Sequence, residues 1–260
     1  MSHNSTDPPS DDTIQLALKN IHLTINSGET TAICGRTGSG KSSLVALLLK
    51  LLDPLPETTG RATIDKTPLG RINRSALRQR IIAVPQEAVF MPDGVSFKTN
   101  LDPELNSLSE DCEDALKAVG LWKFVEERGG LDAAMSAGTL SAGQRQLFSV
   151  GRAVLRRRIR SRKLGDVPDK GILILDEISS SVDVETERVI MELIKAEFRN
   201  YTVVAVSHRL EKIMEFDKVV VMDCGEIVEM GRPVELATKM GSRFGDLVRA
   251  ERKEAGREEA

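Results

Sequence analysis

A glycine-rich stretch between a short apolar run and a helix-like segment constrains this chain more than any other feature. The apolar run is Thr30–Cys34, and residues 35–42 after it read Gly-Arg-Thr-Gly-Ser-Gly-Lys-Ser. Glycines in such a stretch let backbone N–H groups curl around phosphate oxygens, because a Cβ would block that approach. The helix that begins near Lys41 adds its N-terminal dipole to the attraction for an anion. The pattern therefore predicts a strand, a phosphate-binding loop and a helix in direct succession.

The side chains of this loop indicate which nucleotide groups it would hold. Lys41 can reach the β- and γ-phosphates, and the Ser42 hydroxyl can ligate Mg²⁺. A glycine-rich turn that contains Gly-Lys-Ser by coincidence is the alternative, and the flanking strand and helix argue against it. The predicted nucleotide-binding residues of the loop are Gly35, Arg36, Thr37, Gly38, Ser39, Gly40, Lys41, Ser42 and Ser43.

The second predicted element of the site is a pair of acidic residues at the end of an apolar strand. Asp176 and Glu177 follow the unbroken apolar run Ile172–Leu175. This placement puts the Asp176 carboxylate beside a Mg²⁺ shell. Glu177 can orient and deprotonate an attacking water. Because many strands end in acidic residues, the pair indicates a nucleotide site only in combination with the glycine-rich loop.

Strand signals recur along most of the chain. Apolar runs followed at once by polar residues, such as Val203–Val206, are typical of strands that are buried on both faces and open onto a site. Two runs joined around Cys224-Gly225 indicate an antiparallel hairpin. The predicted strands are Ile21–Ile25, Thr30–Cys34, Arg61–Asp65, Ile81–Val84, Gly171–Leu175, Val203–Val206, Val219–Met222 and Ile227–Met230.

The middle third of the chain is predicted to be helical, since Leu147, Val150 and Val154 recur at helical spacing. The predicted helices are Ser42–Leu52, Ser109–Gly120, Leu121–Arg128 and Ala142–Arg158, and residues 160–170 are predicted to form a surface loop. We therefore expect an α/β fold. A P-loop NTPase core, with a mostly parallel sheet and an antiparallel β portion, would carry an inserted α-helical subdomain at about residues 90–158.

Composition argues against several classes of protein. The formal net charge of −3 gives no global reason to expect nucleic acid, and the basic run Arg156–Arg158 is interpreted as a solvated helix end. The three cysteines stand far apart, which fits a reducing compartment better than a disulfide scaffold. No apolar run approaches the roughly 20 residues of a membrane span. Any role at a membrane therefore requires another chain or a further segment.

The segment Leu140–Gln144, at the start of a predicted helix, resembles the signature sequence of ATP-binding cassette (ABC) proteins. That signature is usually Leu-Ser-Gly-Gly-Gln, and Ala142 stands at its variable position. Gln86, after the run at 81–84, is similar to the family's Q-loop glutamine, and Ser180-Ser181-Val182-Asp183 resembles its D-loop. His208 matches the switch histidine. A lone histidine at a strand end is more often structural, but here it is the last of six motifs in the family's order.

The resemblance covers about residues 15–248 and is strongest to the second nucleotide-binding domain of multidrug-resistance-associated (C-type) transporters. Four segments have sequences similar to those of that subgroup: Gly35–Ser43, Asn100–Pro103, Leu140–Leu147 and Gly151-Arg152-Ala153. The implied organisation is a flexible leader at 1–12, an ABC ATPase domain at 13–248 and a charged tail at 249–260.

The resemblance also implies a mechanism. Two cassettes close head to tail, so Ser141, Gly143 and Gln144 would contact ATP held by a partner cassette. Gln86 would join the γ-phosphate and Mg²⁺ to contacts with transmembrane domains, and His208 would hold the γ-phosphate and Glu177. C-type first domains often lack the catalytic Glu, whereas this chain has it, so hydrolysis of ATP is expected. The implied location is the cytoplasmic face of a membrane.

The chain departs from the family in one respect. An aromatic residue upstream of the phosphate-binding loop stacks on adenine in the family, whereas this chain has no Phe, Trp or Tyr before Phe90. His3 lies in the predicted leader and is a poor substitute. The strand that should carry the aromatic is also missing. We therefore expect an N-terminally incomplete fragment in which ATP binding is weakened, because stacking on one base contributes about 1–3 kcal/mol.

Two alternatives to the motor of an exporter remain open. The first is a soluble ABC ATPase that works on DNA or ribosomes. The interval between Gln86 and Leu140 is too short for the coiled coil of chromosome-type members, and translation-type members usually carry two cassettes. The second is a nucleotide-binding fragment that keeps the motifs without turning over.

Overall fold

The computed structural model describes residues 16–53, 62–178 and 182–258, with side chains up to residue 253. The predicted leader, His3, Arg61 and the D-loop residues Ser180 and Ser181 lie outside the described residues. The strands are β1 (Thr30–Cys34), β2 (Thr63–Ile64), β3 (Thr67–Pro68), β4 (Ile81–Val84), β5 (Ile172–Asp176), β6 (Thr202–Val206), β7 (Lys218–Asp223) and β8 (Glu226–Gly231). The helices are α1 (Lys41–Leu48), α2 (Arg74–Arg80), α3 (Phe97–Leu101), α4 (Ser109–Ala118), α5 (Trp122–Glu126), α6 (Ala142–Leu164), α7 (Val184–Glu197), α8 (Leu210–Ile213), α9 (Pro233–Thr238) and α10 (Arg243–Glu258).

Six strands form one sheet in the order β4-β5-β6-β1-β7-β8. The five strands from β4 to β7 are parallel, and β8 pairs antiparallel with β7. A separate antiparallel pair joins β2 to β3. The protein therefore has the predicted α/β fold, with a mostly parallel sheet, antiparallel strands and helices.

Helices cover both faces of the sheet, and the period-2 alternation of each strand decides which residues meet which helices. Ile174 of β5 packs with Leu44 and Val45 of α1 on one face. Its neighbours Leu173 and Leu175 pack with the residues of α6 and α7 on the other face. Such burial on both sides explains why these strands have unbroken apolar sequences.

Most of the predicted strands and helices are confirmed within a residue or two, but the predicted strand Ile21–Ile25 is wrong. Its side chains do alternate: Ile21, Leu23 and Ile25 pack against the core beside α1, whereas His22 and Thr24 are exposed. No described segment forms a ladder with its backbone. The alternation in the sequence records which side chains are buried, whereas a strand also needs a neighbour for its hydrogen bonds.

The predicted loop at 160–170 is wrong in its first half, because α6 continues to Leu164 and Gly165 is its C-cap. Arg160 is held by the carbonyl oxygens of Gln79, Arg80 and Lys170. Arg162 forms an ion pair with Asp111. These tertiary contacts favour two more helical turns than the apolar pattern alone indicates. The predicted helix Ser42–Leu52 is shorter than expected and ends at Leu48.

The basic run on α6 is not simply solvated, which corrects the interpretation from sequence. Arg157 Nη2 lies 2.6 Å from Glu197 Oε2, and Arg158 pairs with the same carboxylate. Arg156 donates to the carbonyl oxygen of Arg78. These guanidinium groups join α6 to α7 and to α2 and so are engaged within the fold.

None of the helices in the described ranges is both long and apolar enough to cross a membrane.

Candidate nucleotide site

The carboxyl ends of three neighbouring strands bring the main predicted site residues together. β5, β6 and β1 are adjacent in the sheet and parallel, so the residues after Asp176, Val206 and Cys34 lie at one edge. Two backbone hydrogen bonds continue the ladder beyond the strands. Glu177 N–H donates to Val206 O at 3.0 Å, and Ser207 N–H donates to Ile33 O at 3.2 Å.

The glycine-rich loop between β1 and α1 depends on glycine at its first position. Gly35 has φ 145°, and a Cβ there would overlap the carbonyl oxygen of Met222 in β7 and lie 2.9 Å from Ser39 Oγ. The loop therefore passes too close to β7 for any side chain. Gly40 is the N-cap of α1 in a left-handed conformation with φ 102°. Ser39 Oγ is buried and has no hydrogen-bond partner among the described residues.

Lys41 lies inside the loop and is only 6% exposed. Its Nζ donates to Gly35 O at 2.9 Å and to Arg36 O at 3.1 Å. Burial lowers the pKa of Lys41 from its usual value, and the negative charge of Glu177 opposes that shift. The loop thus surrounds an ammonium group, which is the arrangement that a polyanionic phosphate chain would bind.

The acidic pair after β5 has two different environments. Burial, followed by the charge of Glu177, raises the pKa of the Asp176 carboxyl, and Lys41 partly offsets that rise. Glu177 has φ 47°, a left-handed conformation that is uncommon for a residue with a side chain. The Oε1 atom of Glu177 lies 2.6 Å from Nε2 of His208. The fold therefore places a carboxylate against an imidazole beside the buried lysine.

The remaining predicted residues lie at other places on the surface. Gln86 follows β4, next to β5, and its side chain is exposed. Ser141 is the N-cap of α6: its Oγ accepts from Gln144 N–H at 3.1 Å, and Ser141 N–H donates to Gln144 Oε1 at 2.9 Å. Gly143 packs against Thr186, since a Cβ there would lie 3.4 Å from Thr186 Oγ1. None of these contacts of Ser141, Gly143 and Gln144 involves the glycine-rich loop.

The sequence has no aromatic residue before Phe90, and the backbone of Ala17–Lys19 lies beside the glycine-rich loop. A Cβ at Gly40 would lie 3.0 Å from Ala17 O, and Lys19 N–H donates to Gly225 O at 2.8 Å. Phe90, the first aromatic of the chain, packs instead on Phe148, with its ring centroid 5.5 Å away.

Sequence reasoning missed two residues next to this site. Arg209 directly follows His208, and its Nη1 lies 2.5 Å from Oε2 of Glu187 on α7. Glu187 is only 3% exposed. In the sequence, Glu187 is one of several charged residues on an amphipathic helix, and only the tertiary fold shows that it is the buried one.

Comparisons with known proteins show the family to which this chain belongs. The sequence profile of the family described as ABC transporter matches residues 18–159. The chain belongs to the ABC transporter family. It is 60% identical over 250 residues to the ABC-type transporter braE of Annulohypoxylon truncatum, a match that covers 95% of the chain and 17% of that protein. It is 39% identical over 230 residues to ABC multidrug transporter B of Aspergillus fumigatus, which covers 88% of the chain and 15% of that protein.

A solved structure shows the same fold. The structure of a bacterial Atm1-family ABC exporter with ATP bound superposes with a TM-score of 0.76 and 25% sequence identity, and the match covers 90% of this chain and 39% of that one. The chain is thus an ATP-binding P-loop NTPase domain of the ABC family. It spans about a sixth of the length of the two curated relatives.

The residues at the sheet edge fit a nucleotide with Mg²⁺. The available donors are the Ser42 hydroxyl and the Asp176 carboxylate, and Mg²⁺ prefers oxygen ligands from one or two carboxylates together with phosphates and water. The described residues contain no group of three or more His, Cys, Asp or Glu side chains that could hold a metal by themselves. Mg²⁺ that is held by one or two protein oxygens usually completes its coordination with substrate phosphates and water.

Proposed function

We propose that this chain binds and hydrolyses Mg²⁺-ATP and that, in its complete assembly, the hydrolysis drives export across a membrane. The observation that carries the proposal is the 2.6 Å contact between Glu177 Oε1 and His208 Nε2, beside Lys41 and Asp176. The four groups supply what phosphoryl transfer to water requires: an ammonium for the phosphates, a carboxylate for Mg²⁺, a base for the water and a group that orients the base.

Each predicted residue has a role in this proposal. The backbone N–H groups of residues 35–43 and the Lys41 ammonium hold the phosphates, while Ser42, Asp176 and Gln86 contribute to the Mg²⁺ shell. When bound there, Mg²⁺ would supply positive charge to offset the charge that develops on the phosphate oxygens. Glu177 takes the proton from the attacking water. His208 holds Glu177 in place and donates to the γ-phosphate.

Ser141, Gly143 and Gln144 serve a second nucleotide in this proposal. Their observed contacts are with each other and with α7, so they are available to ATP held by another cassette in a head-to-tail dimer. The N-terminus of α6 faces that ATP with the positive end of its dipole. The partner is a second ABC cassette, either another copy or a different domain.

Export is proposed from the relatives, which are named transporters and of which the chain spans about a sixth. The complete assembly would include transmembrane domains, with the cassette at the cytoplasmic face of the membrane and Gln86 near the contact between them. We infer no role in binding nucleic acid, since the arginines of α6 are engaged in internal contacts. The transported substrate would be chosen by the transmembrane domains.

The test compares ATP hydrolysis by the purified chain with hydrolysis by its Glu177→Gln variant. Loss of the base should reduce kcat by about 10² or more, whereas the Kd for Mg²⁺-ATP, measured by calorimetry, should change by less than about twofold. The Lys41→Ala variant is the control, and it should lose ATP binding. Equal, negligible turnover by the wild-type chain and the Glu177→Gln variant would favour a nucleotide-binding fragment without catalysis.

A further inference from the structure

The segment that carries His208 is anchored at three points around the imidazole. Ser207 N–H donates to Ile33 O at 3.2 Å, which fixes the segment to β1. Leu210 N–H donates to both carboxylate oxygens of Glu251 on α10 at 3.1 Å. The third anchor is the ion pair of Arg209 with Glu187. Of these three anchors, only the ion pair joins this segment to α7, the helix that follows β5.

The ion pair is built differently from the other charged contacts of α7. Glu187 is 3% exposed, whereas Glu185 and Glu192, which pair with Arg188 on the same helix, are 70% and 62% exposed. A buried carboxylate that loses its cation is strongly destabilised, so the position of Arg209 is tightly held. The Nη2 atom of Arg209 also approaches the carbonyl oxygen of Val182 at 3.5 Å. One guanidinium therefore contacts both the first turn of α7 and Val182, the residue before its N-cap Asp183.

The first turn of α7 is capped by a side chain and lies against the signature segment Leu140–Gln144. Asp183 is its N-cap: Oδ1 accepts from Thr186 N–H at 3.0 Å, and Oδ2 accepts from Thr186 Oγ1 at 2.7 Å. Thr186 and Asp183 are the nearest neighbours of a Cβ built on Gly143. The turn that anchors Arg209 thus lies against the residue proposed to contact a partner's nucleotide.

We propose that Glu187 and Arg209 are positioning residues. Their ion pair holds His208 against Glu177 and fixes the position of His208 relative to the first turn of α7. This inference rests on the proposed function, since it concerns the geometry of the same catalytic pair. Neither residue touches the reacting atoms. Their effect is on the Glu177–His208 contact, and hence on kcat more than on ATP affinity.

The histidine count of the chain allows a test that does not need turnover. The chain has three histidines, His3, His22 and His208, so its imidazole resonances can be assigned with a His208→Ala variant. The Glu187→Gln variant is compared with a matched control, Glu185→Gln, which removes a charge from the exposed side of the same turn. Both spectra are recorded on the full chain, after thermal unfolding has shown that each variant is folded.

The expected result is a displaced His208 resonance in Glu187→Gln, with the His22 resonance unchanged and no displacement in Glu185→Gln. The kcat for ATP hydrolysis should fall about tenfold in Glu187→Gln, while the Kd for Mg²⁺-ATP stays within about twofold. If Glu187→Gln does not fold, Arg209→Lys keeps the charge but loses the planar fork, and it should displace the same resonance by a smaller amount.

An unmoved His208 resonance in a folded Glu187→Gln or Arg209→Lys variant would overturn the proposal, and so would an unchanged kcat in an active protein. A wild-type chain without turnover would contradict the proposed function instead. In that case the His208 resonance alone decides whether the ion pair positions the imidazole.

Discussion

Replacing Gly35 with alanine should break the contact between the phosphate-binding loop and β7. Gly35 has φ 145°, where a residue with a Cβ is strained by about 1 kcal/mol or more. The new methyl group would also overlap the carbonyl oxygen of Met222. That oxygen belongs to β7, which is held between β1 and β8, so it cannot withdraw without disturbing two ladders. Overpacking of this kind costs about 1–3 kcal/mol.

The two effects together give an expected loss of about 2–4 kcal/mol in the free energy of unfolding for Gly35→Ala. Two matched controls separate backbone strain from overlap. Gly38 (φ 81°) and Gly28 (φ 78°) also have positive φ, but a Cβ at either position would meet nothing within 4 Å. Each control should lose only about 1 kcal/mol.

Urea unfolding of the three variants measures these losses, and calorimetry with Mg²⁺-ATP measures the loop itself. Gly35→Ala should lose ATP binding, because the loop must move away from β7 to accommodate the methyl group. Gly28→Ala, which lies before β1, should keep it. A Gly35→Ala variant as stable as Gly28→Ala would refute the argument that the loop is shaped by its approach to Met222.

Two further predictions concern the Asp176 carboxyl and the three cysteine thiols. Burial raises the pKa of Asp176, so its carboxyl favours folding when protonated, and that contribution is lost as pH rises through its folded-state pKa. Asp176→Asn should therefore increase the free energy of unfolding at pH 7. Urea unfolding at several pH values should show that this increase becomes smaller towards pH 3.8. The same variant should lose Mg²⁺-dependent ATP binding. Burial raises the pKa of Cys34 to about 12, and Cys112 is also buried, whereas Cys224 is exposed. Iodoacetamide followed by mass spectrometry should label Cys224 alone until the chain is unfolded, and labelling of Cys34 at the same rate would contradict the buried position.

The segments that form the candidate site could be recognised from sequence because each motif depends on local spacing. The loop at 35–42, the acidic pair Asp176-Glu177 and the start of α6 at Ser141 are short segments that their own residue patterns mark, although the close approach of Gly35 to Met222 also shapes the loop. Strand limits such as Ile81–Val84 were predictable for the same reason, since a strand buried on both faces needs an unbroken apolar run. The domain limits and the roles of the individual site residues remain predictions.

Features that require two distant segments could not be predicted. The missing ladder at residues 21–25 depends on whether another strand lies alongside, and the extension of α6 to Leu164 depends on carbonyl groups of α2 and on Asp111. Apolar periodicity reports burial of side chains, whereas hydrogen bonds and ion pairs depend on what the rest of the chain places opposite them.

By itself, the sequence determined that this chain has a phosphate-binding loop, an acidic strand end and a signature segment within an α/β fold. The family resemblance implied that His208 holds Glu177, but only the tertiary structure showed that the strand order β5-β6-β1 brings the two to within 2.6 Å. Only the tertiary structure showed that Arg209 pairs with the buried Glu187. The physical reason is that backbone preferences act over a few residues, whereas the register between parallel strands is set by packing of the whole sheet.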